Sequence, residues 1–291
     1  MTTTVGPLPL ARTIASLLTP AAFVAREPAL VESYRPRPWP RGTAPRVDVY
    51  LPPAPSGPLP SLVLVHGGGF TIGSRRMKPA RFLATAAVEA GLAVASVDYR
   101  KLFQGGRLEE GRDDVLRALE WWGAQQERFG LDPSAVHLAG LSAGGTLSLL
   151  ASLATPLALR RVISVFALYD LADLGGALPR LLGRLLVGGE REAWRMASPL
   201  GQPLFPTPLT ILHGSADALT PLHQAQAYAA RRRAVGLETE VHVYPDAPHG
   251  FFNDARSEVA QAGLRAFLAA CGAPSLATPA PSLSAPSLSA R

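Results

Sequence analysis

The sequence predicts an α/β fold: a mostly parallel central sheet with helices on both of its faces. Three observations predict it. Short apolar runs bounded by turn residues recur at 61–66, 92–97, 135–139, 162–168, 209–212 and 241–244. Stretches with helical spacing lie between them at 77–90, 113–129, 143–153 and 221–235, and a last one follows at 254–270. The chain has 291 residues, 47% of them hydrophobic, which suffices for one large core, and α/β domains reach this size undivided. An apolar run without polar alternation is a strand covered on both faces. Strands that alternate with helices imply right-handed crossovers and parallel neighbours. The carboxyl edge of such a sheet is where a site is expected.

Residues 1–34 precede this alternation. Arg12 stands before the apolar stretch 14–18, but Pro7, Pro9 and Pro20 interrupt it. The continuous apolar core is short and poorly delimited for an export signal, which leaves secretion as the alternative to a cytoplasmic setting; a short amphipathic helix is the expected use of this segment. No segment reaches the roughly 20 apolar residues of a membrane-spanning helix. Residues 35–60 are dense in proline, which lacks the N–H and clashes with the preceding turn, so no long helix fits there. Within them 46–51 alternates like a strand, with Val47, Val49 and Leu51 on one side. Residues 171–199 separate two strands by more than a crossover needs, and 178–187 has helical spacing. We expect 1–34 and the 171–199 insertion to form a small cap or lid on a domain spanning 35–272. The tail, 273–291, repeats Ala-Pro-Ser-Leu from positions 273, 280 and 285; such low complexity predicts disorder.

The net charge is +6 and the isoelectric point about 10.0, supplied almost wholly by arginine, since Lys78 and Lys101 are the only lysines. A basic balance can serve nucleic acid or an anionic surface. Here the arginines are spread along the chain, without zinc-finger spacing or an aromatic-studded RNA signature, so no nucleic-acid partner is expected. The densest run, Arg231-Arg232-Arg233, falls near the end of a helix, where cations favour the dipole, and reads as a solvated face. Cys271 is the only cysteine, which excludes an intramolecular disulfide and fits a cytoplasmic setting.

The chemistry is carried by Gly140-Leu141-Ser142-Ala143-Gly144-Gly145, which follows the strand 135–139 and opens the helix 143–153. G-x-S-x-G between strand and helix is a nucleophile elbow. Glycines at 140 and 144 leave room for neighbouring backbone around a sharp turn that exposes the Ser142 hydroxyl. The helix start behind it offers free N–H groups and a positive dipole end. A second element, His66-Gly67-Gly68-Gly69-Phe70, follows the first buried strand; without side chains, its backbone can approach a substrate and present donors. His66 is expected to orient this loop rather than to carry a proton.

A serine hydroxyl needs a base, and the base needs a carboxylate to fix its tautomer. In this architecture the order is serine, acid, histidine. His137, His213 and His242 fall in or at the ends of strands, and His223 in a helix. His249, in Ala247-Pro248-His249-Gly250-Phe251, lies on a loop after the last strand, where the base must hang over the sheet edge. Asp217, in His213-Gly214-Ser215-Ala216-Asp217, follows the strand 209–212. Its rivals are Asp170 and Asp173 one strand earlier, and Asp246, a local turn-former beside His249. Order and edge favour Asp217.

With these residues assembled, the chain resembles the α/β-hydrolase superfamily, and within it the hormone-sensitive-lipase-like and related small esterases, over about residues 47–267. The matching stretches are His66 to Phe70, Val97-Asp98-Tyr99-Arg100, the helix start from Asp113 to Trp122, Gly140 to Gly145, His213 to Asp217 and Pro248 to Phe251. The resemblance implies an oxyanion hole from the N–H groups of Gly68, Gly69 and Ala143, and a cap from the N-terminal and inserted segments. It implies hydrolysis of short- to medium-chain carboxylic esters by Ser142, His249 and Asp217, with no metal or organic cofactor and a small-molecule ester as the partner. Three departures, Leu141 in place of an acidic residue, Lys-Leu-Phe-Gln after Arg100 and a short insertion, shift weight toward a compact esterase or an acylformamidase-like relative. The same triad serves amidases, formamidases and peptidases. A silent binding protein of the same fold would have lost the nucleophile, the base or an oxyanion glycine, and this chain keeps all three.

Overall fold

The apolar runs are strands because each must bury both faces. In Leu59–Val65, Val63 and Val65 enter one core cluster while Leu62 and Leu64 enter another on the opposite face. The computed structural model describes residues 3–4, 7–35, 45–53, 55 and 57–273. The repeats expected as a disordered tail lie outside the described residues from 274 onward, as does 36–44 of the proline-dense stretch.

Among the described residues, the elements of the first half are β1 (Thr3–Thr4), α1 (Pro7–Leu18), β2 (Leu30–Ser33), β3 (Arg46–Tyr50), β4 (Leu59–Val65), α2 (Lys78–Glu89), β5 (Ala93–Val97), α3 (Leu108–Gly123), α4 (Gln126–Phe129) and β6 (Leu131–Leu141). The second half adds α5 (Ala143–Ala151), β7 (Arg161–Val165), β8 (Leu174–Gly175), α6 (Ala177–Leu186), α7 (Arg191–Ala197), β9 (Leu209–Gly214), α8 (Leu222–Ala234), β10 (Thr239–Tyr244) and α9 (Glu258–Ala270). Eight of the strands form one sheet in the order β10-β9-β7-β6-β4-β5-β3-β2. From β10 to β5 all neighbours are parallel; β3 pairs antiparallel with β5, and β2 antiparallel with β3. The sheet is mostly parallel, as the alternation predicts. Leu30–Ser33, within the segment expected to be cap, serves as its edge strand.

One cluster joins Val63, Val65 and Leu138 to Val115, Leu119 and Trp122 of α3 and Leu147 of α5. The opposite cluster joins Leu62, Leu64 and Val94 to Phe82 of α2 and Leu264 and Phe267 of α9. The helix expected over 113–129 differs from the one found. It begins at Leu108, where the Glu110 carboxylate accepts from the Arg107 N–H in a capping box, and two acids, Glu109 and Glu110, sit in its first turn. It ends at Gly123, and α4 follows as a separate turn. Side-chain capping at 107–110 outweighs the apolar spacing that suggested a later start.

The Arg231–Arg233 run also departs from expectation, because Arg232 is fully buried. Its guanidinium donates to the Phe205 and Thr207 carbonyls and to Thr239 Oγ1, and stacks over the Phe205 ring at 4.4 Å. A planar fork of five donors can be buried when carbonyls meet it, which a one-dimensional charge pattern does not reveal. The two segments expected as a cap touch each other, since β1 pairs in parallel with β8. Helix α1 is strapped to the body by Asn253 Nδ2, which donates to Ser16 Oγ at 2.8 Å, and by Lys78 Nζ, which donates to the Ser16 and Thr19 carbonyls at its C-terminus.

Candidate active site

Every residue singled out for chemistry sits at the carboxyl end of a parallel strand. Ser142 follows β6, the loop from His66 follows β4, Asp217 follows β9 and His249 follows β10. The strand order sets these ends side by side.

Ser142 occupies the tight turn between β6 and α5 with φ +53° and ψ −119°. A side chain held there costs of order 1–3 kcal/mol and persists only where the surroundings enforce it. Its N–H donates to the Val165 carbonyl at 2.9 Å, and its own carbonyl accepts from Thr146 N–H at 3.1 Å. The glycines on either side make the turn possible by close backbone approach. A Cβ on Gly140 would lie 2.3 Å from the Gly144 carbonyl oxygen, and one on Gly144 would lie 2.3 Å from that of His66. Leu141 is buried in the core beside Val165 and Phe166, so a non-acidic residue suits this environment.

The glycine loop lies directly on this turn: a Cβ at Gly67 would stand 3.3 Å from Ser142 Cβ. Gly68, Gly69 and Phe70 have successive φ values of +121°, +58° and +62°. At Gly68 an added Cβ would fall 2.1 Å from the Ile72 carbonyl oxygen, so only glycine fits. Ala143 is the first residue of α5, where backbone N–H groups lack partners within the helix. His66 is fully buried, and its Nδ1–H donates to the Gly67 carbonyl at 2.6 Å while the ring stacks on Tyr99 at 4.4 Å. Burial pushes its pKa down to about 4, against the pull of Asp98 and the Gly67 carbonyl. The ring is thus a neutral brace for the loop. Arg75 links Asp98 to Asp48 through 2.6 and 2.7 Å hydrogen bonds, which fixes the chain beyond the loop.

Ser142 Oγ–H donates to His249 Nε2 at 3.0 Å, and His249 Nδ1–H donates to Asp217 Oδ2 at 2.8 Å. Asp217 is buried, and its Oδ1 accepts from the N–H groups of Leu219 and Thr220. Burial alone would raise this carboxyl; the charge and hydrogen bond of His249, the nearby His213 and the Thr220 N–H outweigh it and hold the group below the usual carboxylate range. The rivals are engaged elsewhere. Asp170 caps the turn that follows it by accepting from Ala172 N–H, Asp173 pairs with His223, and Asp246 occupies an exposed turn at φ +55°. His137 bonds the Ser61 carbonyl, His213 the Thr220 carbonyl, and His242 faces Glu240 on the surface.

Sequence reasoning missed two neighbours of His249. Phe166 directly follows β7 with φ +36°, and its ring meets the imidazole edge-on at 5.0 Å. Thr220 places its hydroxyl between Asp217 and His249. Neither carries a motif: Thr220 lies three residues from Asp217, but only the fold brings it and Phe166 against His249. No group of three or more metal-binding side chains occurs among the described residues, and no helix among them is long and apolar enough to cross a membrane.

A hydroxyl bonded to an imidazole that is itself held by a carboxylate can be deprotonated as it attacks a carbonyl carbon. Backbone donors beside it can receive the charge that forms on the carbonyl oxygen. Comparison with known proteins agrees with this architecture. The family model described as alpha/beta hydrolase fold matches residues 62–253. Esterase LipC of Mycobacterium tuberculosis is 30% identical over 68% of this chain and 54% of its own length. Ethyl acetate hydrolase of Pseudomonas putida is 29% identical over 70% of each. The hyperthermophilic esterase of Pyrobaculum calidifontis superposes with a TM-score of 0.69 at 22% identity, covering 90% of this chain and 88% of that one. The chain spans about half the length of LipC and of the probable carboxylic ester hydrolase LipM from the same organism.

Proposed function

The chain belongs to the α/β-hydrolase fold family, and on that premise we propose that it is a serine hydrolase of short- to medium-chain carboxylic esters. The observation that carries the proposal is the continuous line from Ser142 through His249 to Asp217 at the carboxyl edge of the sheet. In the proposed reaction Asp217 accepts the His249 Nδ1–H and so turns the lone pair of Nε2 toward Ser142. His249 takes the Ser142 proton as Oγ attacks the ester carbonyl. The N–H groups of Gly68, Gly69 and Ala143 stabilise the oxyanion, and each such donor is worth about 3 kcal/mol of barrier. The tetrahedral intermediate expels the alcohol, which leaves with the proton from His249. Water, deprotonated by the same histidine, then attacks the acyl-enzyme and releases the acid.

The names of the relatives support an ester bond over an amide. The small cap segments support short acyl groups; the proposed cap is residues 1–34 and 171–199, apart from Leu30–Ser33, which belongs to the edge of the sheet. The single cysteine supports a reducing, cytoplasmic setting. The test is a chain-length series of p-nitrophenyl esters beside acyl anilides and formylated amines, with wild type and Ser142→Ala compared. We expect acetate or butyrate to be preferred and Ser142→Ala to lose about four orders of magnitude or more in kcat. Amide turnover far above ester turnover, a long-chain optimum, or an active Ser142→Ala variant would each overturn the proposal.

A further inference from the structure

Thr220 carries a hydroxyl that the proposed reaction leaves unused. The residue is 5% exposed. Its Oγ1 lies 2.8 Å from Asp217 Oδ2, 3.0 Å from the Phe166 carbonyl oxygen and 3.2 Å from His249 Nδ1. A hydroxyl has one proton, so the two oxygen contacts compete for it. The carboxylate is both nearer and charged, and a lone pair aimed at it from 2.8 Å would repel. The proton therefore goes to Asp217, as a charge-assisted hydrogen bond.

The main chain of the same residue completes the arrangement. Thr220 N–H donates to Asp217 Oδ1 at 2.8 Å, so one residue holds both carboxylate oxygens. Its carbonyl accepts from His213 Nε2 at 2.7 Å. His213 is buried and its Nε2 lies only 3.6 Å from Asp217 Oδ2. Because that N–H is committed to the Thr220 carbonyl, it does not compete with His249 for the carboxylate. Across the site, the Phe166 carbonyl and ring bring β7 against Thr220 and His249 respectively.

Resting on the serine-hydrolase reading above, we propose that Thr220 is a positioning residue whose hydroxyl fixes Asp217 Oδ2 where His249 Nδ1–H meets it, and so aims Nε2 at Ser142. It touches no reacting atom. Its effect belongs in kcat and not in substrate binding, because a misaimed base raises the barrier without changing the pocket.

The test compares Thr220→Val, which keeps the shape and loses the hydroxyl, with Thr220→Ser, which keeps the hydroxyl and loses the methyl. With p-nitrophenyl acetate we expect Thr220→Val to lose about three- to tenfold in kcat at unchanged KM. Thr220→Ser should stay within about twofold of wild type. The His249 Nδ1 proton resonance should move in Thr220→Val and hold in Thr220→Ser. Wild-type kcat in Thr220→Val, or equal losses in both variants, would overturn the proposal. Should circular dichroism show Thr220→Val unfolded, Thr220→Ala replaces it: a higher kcat in Ser than in Ala supports the role, and equal values overturn it. An active Ser142→Ala variant would sink the serine-hydrolase reading by itself. In that case the proton resonance, measured in the Ser142→Ala background, still decides whether the Thr220 hydroxyl holds the pair: a moved signal supports it and an unmoved one overturns it.

Discussion

At the residue scale, four acids stand near enough in sequence or in space to serve His249, and their surroundings separate them. Asp217 is buried with both oxygens engaged, one of them by His249 itself. Asp170 is committed to its turn, Asp173 to His223, and Asp246 to solvent. Asp217→Asn leaves the side-chain shape but offers an amide where a carboxylate held the imidazole tautomer. We expect kcat on p-nitrophenyl acetate to fall about 10³- to 10⁴-fold. Asp173→Asn and Asp246→Asn should each stay within about twofold of wild type. A larger loss from either of those two, with Asp217→Asn active, would reassign the acid. Ser142 and His249 were legible from one motif and one loop, because the elbow sets local backbone geometry. Asp217 was legible only through chain order, and Thr220 not at all, because the role proposed for it requires β9, β7 and the His249 loop to be neighbours.

At the scale of elements, the site depends on two backbones packed without side chains between them. The loop from His66 and the first turn of α5 meet at Gly144, whose added Cβ would lie 2.3 and 2.4 Å from the His66 and Val65 carbonyl oxygens. These are main-chain atoms at the end of β4 and the start of its loop, and they cannot swing away. Gly144→Ala should therefore force β4 and α5 apart, costing about 2–4 kcal/mol in urea denaturation and lowering kcat with it. Gly57, where an added Cβ meets nothing within 4 Å, supplies the contrast. Gly57→Ala should stay within about 0.5 kcal/mol of wild type. Equal midpoints for the two variants would show that the close approach is not required. The pattern of apolar runs located the strands, yet element ends escaped it. The run 162–168 stops as a strand at Val165, because Phe166 turns to positive φ.

At the scale of the whole molecule, three histidines, His66, His137 and His213, are buried with lowered pKa values, each chiefly by desolvation. The sign of the linkage follows. A His whose folded pKa lies below its unfolded one takes up a proton on unfolding, so stability is full above the unfolded value and falls as pH drops toward the folded one. For His66 that window runs from 6.5 to about 4, and its span corresponds to on the order of 3 kcal/mol. Asp217 adds to the loss further into acid, since its depressed pKa favours the folded state only while it is ionised. We expect the urea midpoint of the wild type to fall steadily between about pH 6.5 and 4.5. His66→Asn, whose amide N–H can still reach the Gly67 carbonyl, should show a shallower fall. Parallel slopes would mean that His66 protonates in the folded state.

The sequence by itself determined the parallel strands, the helices between them, the glycine turns and the elbow that carries the proposed nucleophile, because each is written in contiguous residues whose spacing or conformation is local. It determined the family for the same reason, since several short motifs in fixed order carry it. The tertiary structure alone decided which groups are partners. Ser142 and His249 are 107 residues apart in sequence and 3.0 Å apart in space. The burial of Arg232, the edge position of Leu30–Ser33 and the approach of the Thr220 hydroxyl to Phe166 and His249 likewise arise from long-range packing. Hydrogen bonds and burial depend on distances in the folded chain, and no local pattern encodes the partner at the other end.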